Sequence, residues 1–407
     1  SMVPRCTFHT KKISDFCVEF AKAHNLEYIQ DEMNNVIIKK PGTAGYEDSD
    51  PVIIQGHLDM VATKTTDSDH DFENDPLDLF VDGDLIGAKN TTLGGDDGIA
   101  VAYAMAILAS TDIPHPPIEA VFTVDEEIGM GGAHHLDTSV LKGKICLNID
   151  SEIEGVMTVG CAGGYIYDTF IPIEWSEESG TKMTISLSNL QGGHSGAEID
   201  KNRANANKLM GRFLYGLKKK AEYALISLTG GQKDNAITRE CTAEFLTDSV
   251  AEVKAYAKEL QEQLREEYTG SDENITFEIT EKGTATAEVL HPTSQEKIVF
   301  YLQNVPFGIQ KMSGTIKGLV ETSSNIGILR LDRDELFASS SVRSSVDAAC
   351  SALSDKIEYL TEFLGGDYEV QGAYPAWEYR KESPLRDKMV AVFEEMYGHK
   401  PEVVAIH

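Results

Sequence analysis

Cysteine is sparse and unpaired along this chain: Cys6, Cys17, Cys146, Cys161, Cys241 and Cys350 are scattered over 407 residues with no C-x-x-C among them. That excludes a disulfide-stapled secreted scaffold and a thiolate-rich zinc site, and reduced thiols in a cytosol fit best. Positive charge is also short, with 36 Lys plus Arg against 66 Asp plus Glu, a formal net charge of -30. A field of that sign repels phosphate backbones and anionic lipid surfaces, so neither nucleic acid nor membrane is expected as a partner. No apolar run nears the ~18 residues of a membrane span. Ser1 to Arg5 carry none of the apolar stretch of a secretory leader, and a cytoplasmic protein is the expectation. What remains is an ordinary globular balance, 41% hydrophobic and 25% charged, in a chain long enough for two or three domains with cores of their own.

Hydrophobic spacing divides the chain into two styles. Ile13, Phe16, Cys17, Val18 and Phe20 recur at intervals of three to four and predict an amphipathic helix over 11–25. Apolar stretches at 35–40, 51–60, 118–127 and 144–150 read as strands, and the Ala-rich 98–110 as a helix, so strands alternate with helices as in a largely parallel sheet. From about 180 the pattern becomes α+β. Half-buried strands flank a helix near 203–220, and a second pass begins with a helix at 251–268. These are the marks of two related halves without a residue-level repeat. A helix over 384–398 and a strand-like run ending at His407 follow, and the run reads as unfinished.

Four separated segments place metal-ligating side chains where a strand ends or a helix begins. His57 and Asp59 close VIIQG; Asp96 and Asp97 lie in the glycine-rich TLGGDDG before a helix; Glu126 and Glu127 follow EAVFTV; Asp150 closes KICLNI. In an open parallel sheet such strand ends line one crevice. Imidazole with several carboxylates and no thiolate suits zinc, manganese or cobalt, with a structural calcium or magnesium site as the competing reading. A pair of such ions can share one water while polarising a carbonyl, and one carboxylate left unligated can move the proton. The Glu126-Glu127 pair can supply both a ligand and that base, and Asp59 is spaced to orient His57. His134, His135, Cys146 and Cys161 receive no chemistry.

GHLDM (56–60), TTLGGDDGIAVAYAMAIL (91–108), the DEE of FTVDEEIGM (122–130), LNIDSEIEG (147–155) and GGHSGAEID (192–200) resemble the aminoacyl-histidine dipeptidase branch of the two-zinc aminoacylase and carboxypeptidase family. The resemblance implies a catalytic α/β domain, mainly a parallel sheet flanked by helices, with an inserted α+β lid. The expected division is 1–180, 181–372 for the lid, and a return segment at 373–407 that stops short of the family's last histidine ligand. His407 matches a different family motif and is not that ligand.

Two divalent ions, zinc or else manganese or cobalt, are implied, with Asp96 bridging, His57 and Asp150 completing one ion and Glu127 ligating the other. Glu126 is then the general base and Asp59 the residue behind His57; the family often has a cis peptide after the bridging Asp. By the same resemblance His194 is the lid histidine that hydrogen-bonds the oxyanion, while Asn235 and Arg343 hold the substrate. The length of the lid favours the doubled kind. The expected activity is hydrolysis of Xaa-His or broadly unspecific dipeptides by a metal-activated water, in a monomer or homodimer. Alternatives are an N-acyl-amino-acid deacylase of the same chemistry and a non-catalytic metal-dependent peptide-binding protein.

Overall fold

The computed structural model describes residues 2–151 and 153–407. Its contacts divide the chain into two compact units, one of residues 1–156 with 387–401 and one of residues 157–386 with 402–407.

In the first unit α1 (Lys11–Ala23) precedes β1 (Glu27–Gln30), β2 (Val36–Lys40) and β3 (Val52–His57). The hairpin of β4 (Leu79–Asp82) and β5 (Leu85–Ala88) comes next, then α2 (Gly95–Ala109), β6 (Ile118–Thr123), the short α3 (Gly131–His135) and β7 (Ile145–Asn148). The main sheet runs β1-β2-β6-β3-β7. Its parallel part is β6-β3-β7, and β1 and β2 extend it antiparallel. Parallel strands covered on both faces lose their polar alternation, and every residue of β6 is buried. One face is covered by α1, through Ile13, Cys17, Val18 and Ala21, and by α2, through Val101, Ala104 and Leu108, and the other by Leu136, Val140 and Leu141 against Ile37, Ile53 and Val121. Glu119 is a buried acid in β6; the Lys142 and Gly143 N–H groups donate to its carboxylate and Lys39 lies 3.7 Å away, which offsets its desolvation.

The second unit opens with β8 (Val156–Cys161), β9 (Gly163–Pro172) and β10 (Trp175–Ser188), followed by the two-residue β11 (Gly193–His194). Next come α4 (Ala206–Leu217), β12 (Ala224–Gly230), β13 (Ala236–Ile237), β14 (Cys241–Thr247), α5 (Val250–Glu267) and β15 (Thr276–Leu290). Then follow α6 (Pro292–Asn304), β16 (Gly308–Met312), β17 (Val320–Leu331), β18 (Glu335–Ser344), α7 (Asp347–Phe363) and β19 (Asp367–Tyr374). The helix α8 (Pro384–Tyr397) belongs mostly to the first unit, and β20 (Glu402–Ile406) pairs with β8 in the second.

The large sheet reads β15-β10-β14-β12-β17-β18-β9-β19, with β16 on β17. That order is a palindrome. The set β10, α4, β12, β14, α5, β15 has the same sequence of helices, hairpin and outer strand as β9, α6, β17, β18, α7, β19, and the antiparallel pairing of β12 with β17 joins them as a two-fold axis requires. Two related halves are therefore present, but they are nested rather than consecutive: the first set lies in the chain between β9 and α6. The second set, begun by β9, consequently resumes at α6, and α5 with β15 closes the first. Met183, Ile185 and Leu187 point alternately inward from β10 and meet Leu209, Phe213 and Leu214 of α4 and Leu260 and Leu264 of α5. Among the described residues no helix is long and apolar enough to cross a membrane.

Candidate metal centre and substrate residues

Because β6, β3 and β7 are parallel neighbours, their C-terminal ends open at one edge of the sheet. His57 ends β3, Asp150 follows β7, Glu126 and Glu127 follow β6, and Asp96 lies in the first turn of α2. Ligand atoms of His57, Asp96 and Asp150 all fall within 4.8 Å of one another. His57 Nε2 is 2.9 Å from Asp96 Oδ1 and 3.9 Å from Glu126 Oε2, and Nδ1 faces Asp59 Oδ1 at 3.3 Å. Glu127 lies outside that group of three, but the charges of Asp96 and His57 reach its carboxyl. The Asp96-Asp97 peptide bond is cis.

Asp59 is fully buried and works on two segments at once. Besides facing His57, its carboxylate accepts the backbone N–H of Glu126 at 3.1 Å and of Glu127 at 3.4 Å, and the Thr7 hydroxyl at 3.0 Å. Burial pushes its pKa up, and the His57 and backbone donors outweigh that and hold it below the usual range. The carboxyls around it go the other way. Burial, reinforced by neighbouring carboxylates, raises Glu126, Glu127 and Asp150, and takes Asp97 up to about 7. Burial pulls the His57 imidazole down, but Asp59 and Asp96 overcome it and push its pKa up to about 9. Asp97 Oδ1 is buried with no hydrogen-bond partner among the described residues. Carboxylates crowded against one imidazole and one guanidinium lack positive charge, so the donor set fits divalent cations.

Sequence reasoning missed the residue beneath this cluster. Arg5 is buried, and its guanidinium donates to Leu58 O at 2.8 Å, Asp59 O at 2.9 Å and Gly94 O. It thus ties the end of β3 to the turn that carries Asp96. The glycines of TLGGDDG leave room for it: a Cβ on Gly94 or Gly98 lies 2.5 or 2.6 Å from an Arg5 nitrogen. Gly56 has a similar duty, since its Cβ would meet Asp97 Oδ2 and Ala100 Cβ at 2.5 Å. Asn35 was missed too. Its side chain accepts from Val124 N and donates to Gly132 O, fixing the turn before Glu126.

In the second unit the ladder of β11 with β13 pairs His194 with Ala236, and Ser195 N donates to Asn235 O, which brings His194 and Asn235 side by side. His194 Nδ1 accepts from the N–H groups of Gly196 and Ala197 at 3.1 and 3.0 Å. Its proton is therefore on Nε2, which is left as a donor. Burial and the charge of Arg343 lower its pKa and keep the ring neutral near pH 7. The Arg343 guanidinium rests against Gly196 and donates to the Tyr374 hydroxyl at 3.0 Å; its Nε is buried without a partner among the described residues.

An α/β unit that gathers an imidazole and carboxylates at its strand ends, in a chain with a second, α+β unit built on one long sheet, defines a metal-dependent hydrolase with a lid domain. The profile of a peptidase dimerisation domain matches residues 185–272. Cytosol non-specific dipeptidase of Escherichia coli (strain K12) is 33% identical over 409 residues, spanning 100% of this chain and 84% of that relative. The crystal structure of aminoacylhistidine dipeptidase from Vibrio alginolyticus superposes with a TM-score of 0.90 at 36% identity, over 100% of this chain and 84% of that one. Aminopeptidase PepT from Bacillus cereus shares the fold alone, with a TM-score of 0.50 at 15% identity over 99% and 81% of the two chains. The chain belongs to the M20 metallopeptidase family, in its branch of aminoacylhistidine and cytosol non-specific dipeptidases.

Proposed function

We propose that this metallopeptidase hydrolyses unblocked dipeptides, Xaa-His or a broad range, in the cytoplasm. His57, Asp96, Glu127 and Asp150 would hold two divalent ions, zinc or else manganese or cobalt. The observation that carries the reading is the meeting of His57, Asp96 and Asp150, from three separate stretches of chain, within 4.8 Å. Such ions, when bound, polarise the scissile carbonyl and acidify a water.

The remaining work falls to this chain's own side chains. Glu126 takes the water proton and returns it to the leaving amine, and its backbone, pinned by Asp59, supports a fixed carboxylate. Asp59 holds the His57 ring from its Nδ1 side. His194 offers its Nε2 proton to the developing oxyanion, and a neutral donor at that atom is what its two Nδ1 hydrogen bonds favour. Arg343, whose Nε has no partner among the described residues, takes the peptide's terminal carboxylate together with Asn235. The pairing of β12 with β17 within one chain supports a lid complete in a single subunit.

The test is Glu126→Gln with bound metal measured alongside. Hydrolysis of a free dipeptide should fall at least about a hundred-fold while metal is retained; near wild-type turnover removes the base assignment. Faster turnover of an N-acetyl dipeptide than of its free-amine counterpart favours a deacylase, and peptide binding without turnover in the wild type favours a binding protein.

A further inference from the structure

We propose that a cleft beside Glu127 in the catalytic unit receives the residue on the amino side of the scissile bond, and that Phe8 sets how well a large apolar side chain is accepted there. This rests on the dipeptidase reading and deepens it by naming a subsite.

Phe8 is an unusual residue by its backbone. It sits at φ 68, in the left-handed region that a bulky side chain rarely adopts. Its N–H donates to Asp125 Oδ1 at 2.8 Å, and Asp125, itself at φ 55, directly precedes Glu126 and Glu127. Two left-handed residues are thus fastened to each other next to the site's carboxylates. Backbone conformations of this kind persist where the surroundings hold them, and they gather at ligand sites. The result here is a phenyl ring that stays 66% exposed, where the hydrophobic effect alone would bury it.

The ring lines a cleft of about 760 Å³ together with Phe72, Val61, Ile128 and Glu127. Val61 and Ile128 are 47% and 61% exposed, so the apolar wall is open to a ligand rather than packed. Phe72 is held in place by edge-on contact with His70, ring centres 4.7 Å apart. The volume accommodates an aromatic or branched side chain, and Glu127 in the wall sets the cleft beside one of the proposed metal ligands.

Charge selects which end of the peptide enters. Asp69, Asp71, Glu73 and Glu127 border the cleft and outnumber its one lysine, Lys64, whose ammonium sits on the His70 carbonyl at 2.7 Å, and His9, whose Nδ1 lies 3.5 Å from Glu73. That rim attracts an α-ammonium and repels a terminal carboxylate. An apolar wall with an acidic border therefore fits an unblocked amino-terminal residue.

The experiment compares wild type with Phe8→Ala, Phe8→Leu and Ile128→Ala on two dipeptide series, one varying the amino-side residue (Gly-Ala, Leu-Ala, Phe-Ala) and one the carboxyl-side residue (Ala-Gly, Ala-Leu). Calorimetric titration with leucinamide and glycinamide reads the cleft without turnover. Phe8→Ala should lose roughly ten-fold or more in kcat/KM on Leu-Ala and Phe-Ala relative to Gly-Ala, with no selectivity change in the carboxyl-side series. Phe8→Leu should recover most of it. Leucinamide affinity should fall in Phe8→Ala while glycinamide affinity stays level. An equal loss across the amino-side series, a loss confined to the carboxyl side, or unchanged leucinamide affinity overturns the proposal. Should Phe8→Ala unfold, Ile128→Ala, changed at an exposed position, must show the same selective loss. A wild-type chain that hydrolyses no dipeptide overturns the dipeptidase reading instead, and the calorimetry still decides the cleft.

Discussion

Arg5 carries no catalytic signature in the sequence, yet its guanidinium joins two of the segments that bring carboxylates together. Replacing it by methionine keeps most of the stem and leaves the buried carbonyls of Leu58 and Asp59, and the partly buried one of Gly94, without their donor. The expected loss is about 3 kcal/mol or more, measured by urea unfolding, with weaker metal binding in calorimetry. Arg5→Lys should restore only part, because one ammonium cannot reproduce the fork. The contrast with His57 explains what a sequence can reveal about a site. His57, Asp96, Glu126 and Asp150 are legible because their side-chain chemistry is rare at strand ends and their motifs are ordered along the chain. Arg5 acts through backbone carbonyls 53 and more residues away, and nothing in its neighbourhood in sequence signals that. The glycines of TLGGDDG were visible, but the reason for them, space for a guanidinium, required coordinates.

At the scale of elements, the loop that carries His194 is held by a residue from the turn between α5 and β15. Asp272 is buried and its two oxygens accept the N–H groups of Gln191 at 2.7 Å and Ala204 at 2.9 Å, bracketing 191–204. Asp272→Ala leaves the Ala204 N–H buried and unpaired, at about 1–3 kcal/mol, and frees the partly exposed Gln191 N–H to water; hydrogen exchange should report faster opening of this loop while α4 and β10 stay protected.

A helix cap gives a pH prediction. The Lys208 ammonium in α4 donates to Val305 O at 2.8 Å and to Leu302 O, closing the C-terminus of α6, and burial brings its pKa down to about 8. Unfolded, the amine keeps its proton to about pH 10.5. Between pH 8 and 10.5 the unfolded chain therefore binds more protons, and raising pH favours folding. Against Lys208→Met, wild type should gain relative stability across that window in denaturant titrations; equal slopes would contradict the assignment.

The helices themselves were readable from their 3.6-residue spacing, and the predicted 251–268 and 384–398 differ little from α5 and α8. The nesting of the two halves was not, because chain order lists elements while the palindrome exists only in the pairing of β12 with β17.

For the whole molecule, six of the 66 acidic residues meet where they have chemical use. The first unit gathers Asp59, Asp96, Asp97, Glu126, Glu127 and Asp150 around His57, with Arg5 as the buried counter-charge. The second holds His194, Asn235 and Arg343 on and beside the central strands of its sheet. Composition shows the excess of acid but not which of 66 acidic residues meet, since that depends on which strands lie parallel and adjacent. The most direct measurement is elemental analysis of wild type and His57→Ala after dialysis against zinc and removal of free ion, with dipeptide turnover assayed on the same samples before and after chelation. Wild type should retain tightly bound metal and lose hydrolysis on chelation, and His57→Ala should retain less metal than wild type and show no turnover. Equal metal content in the two proteins, or full turnover by the chelated wild type, contradicts a metal centre built on His57.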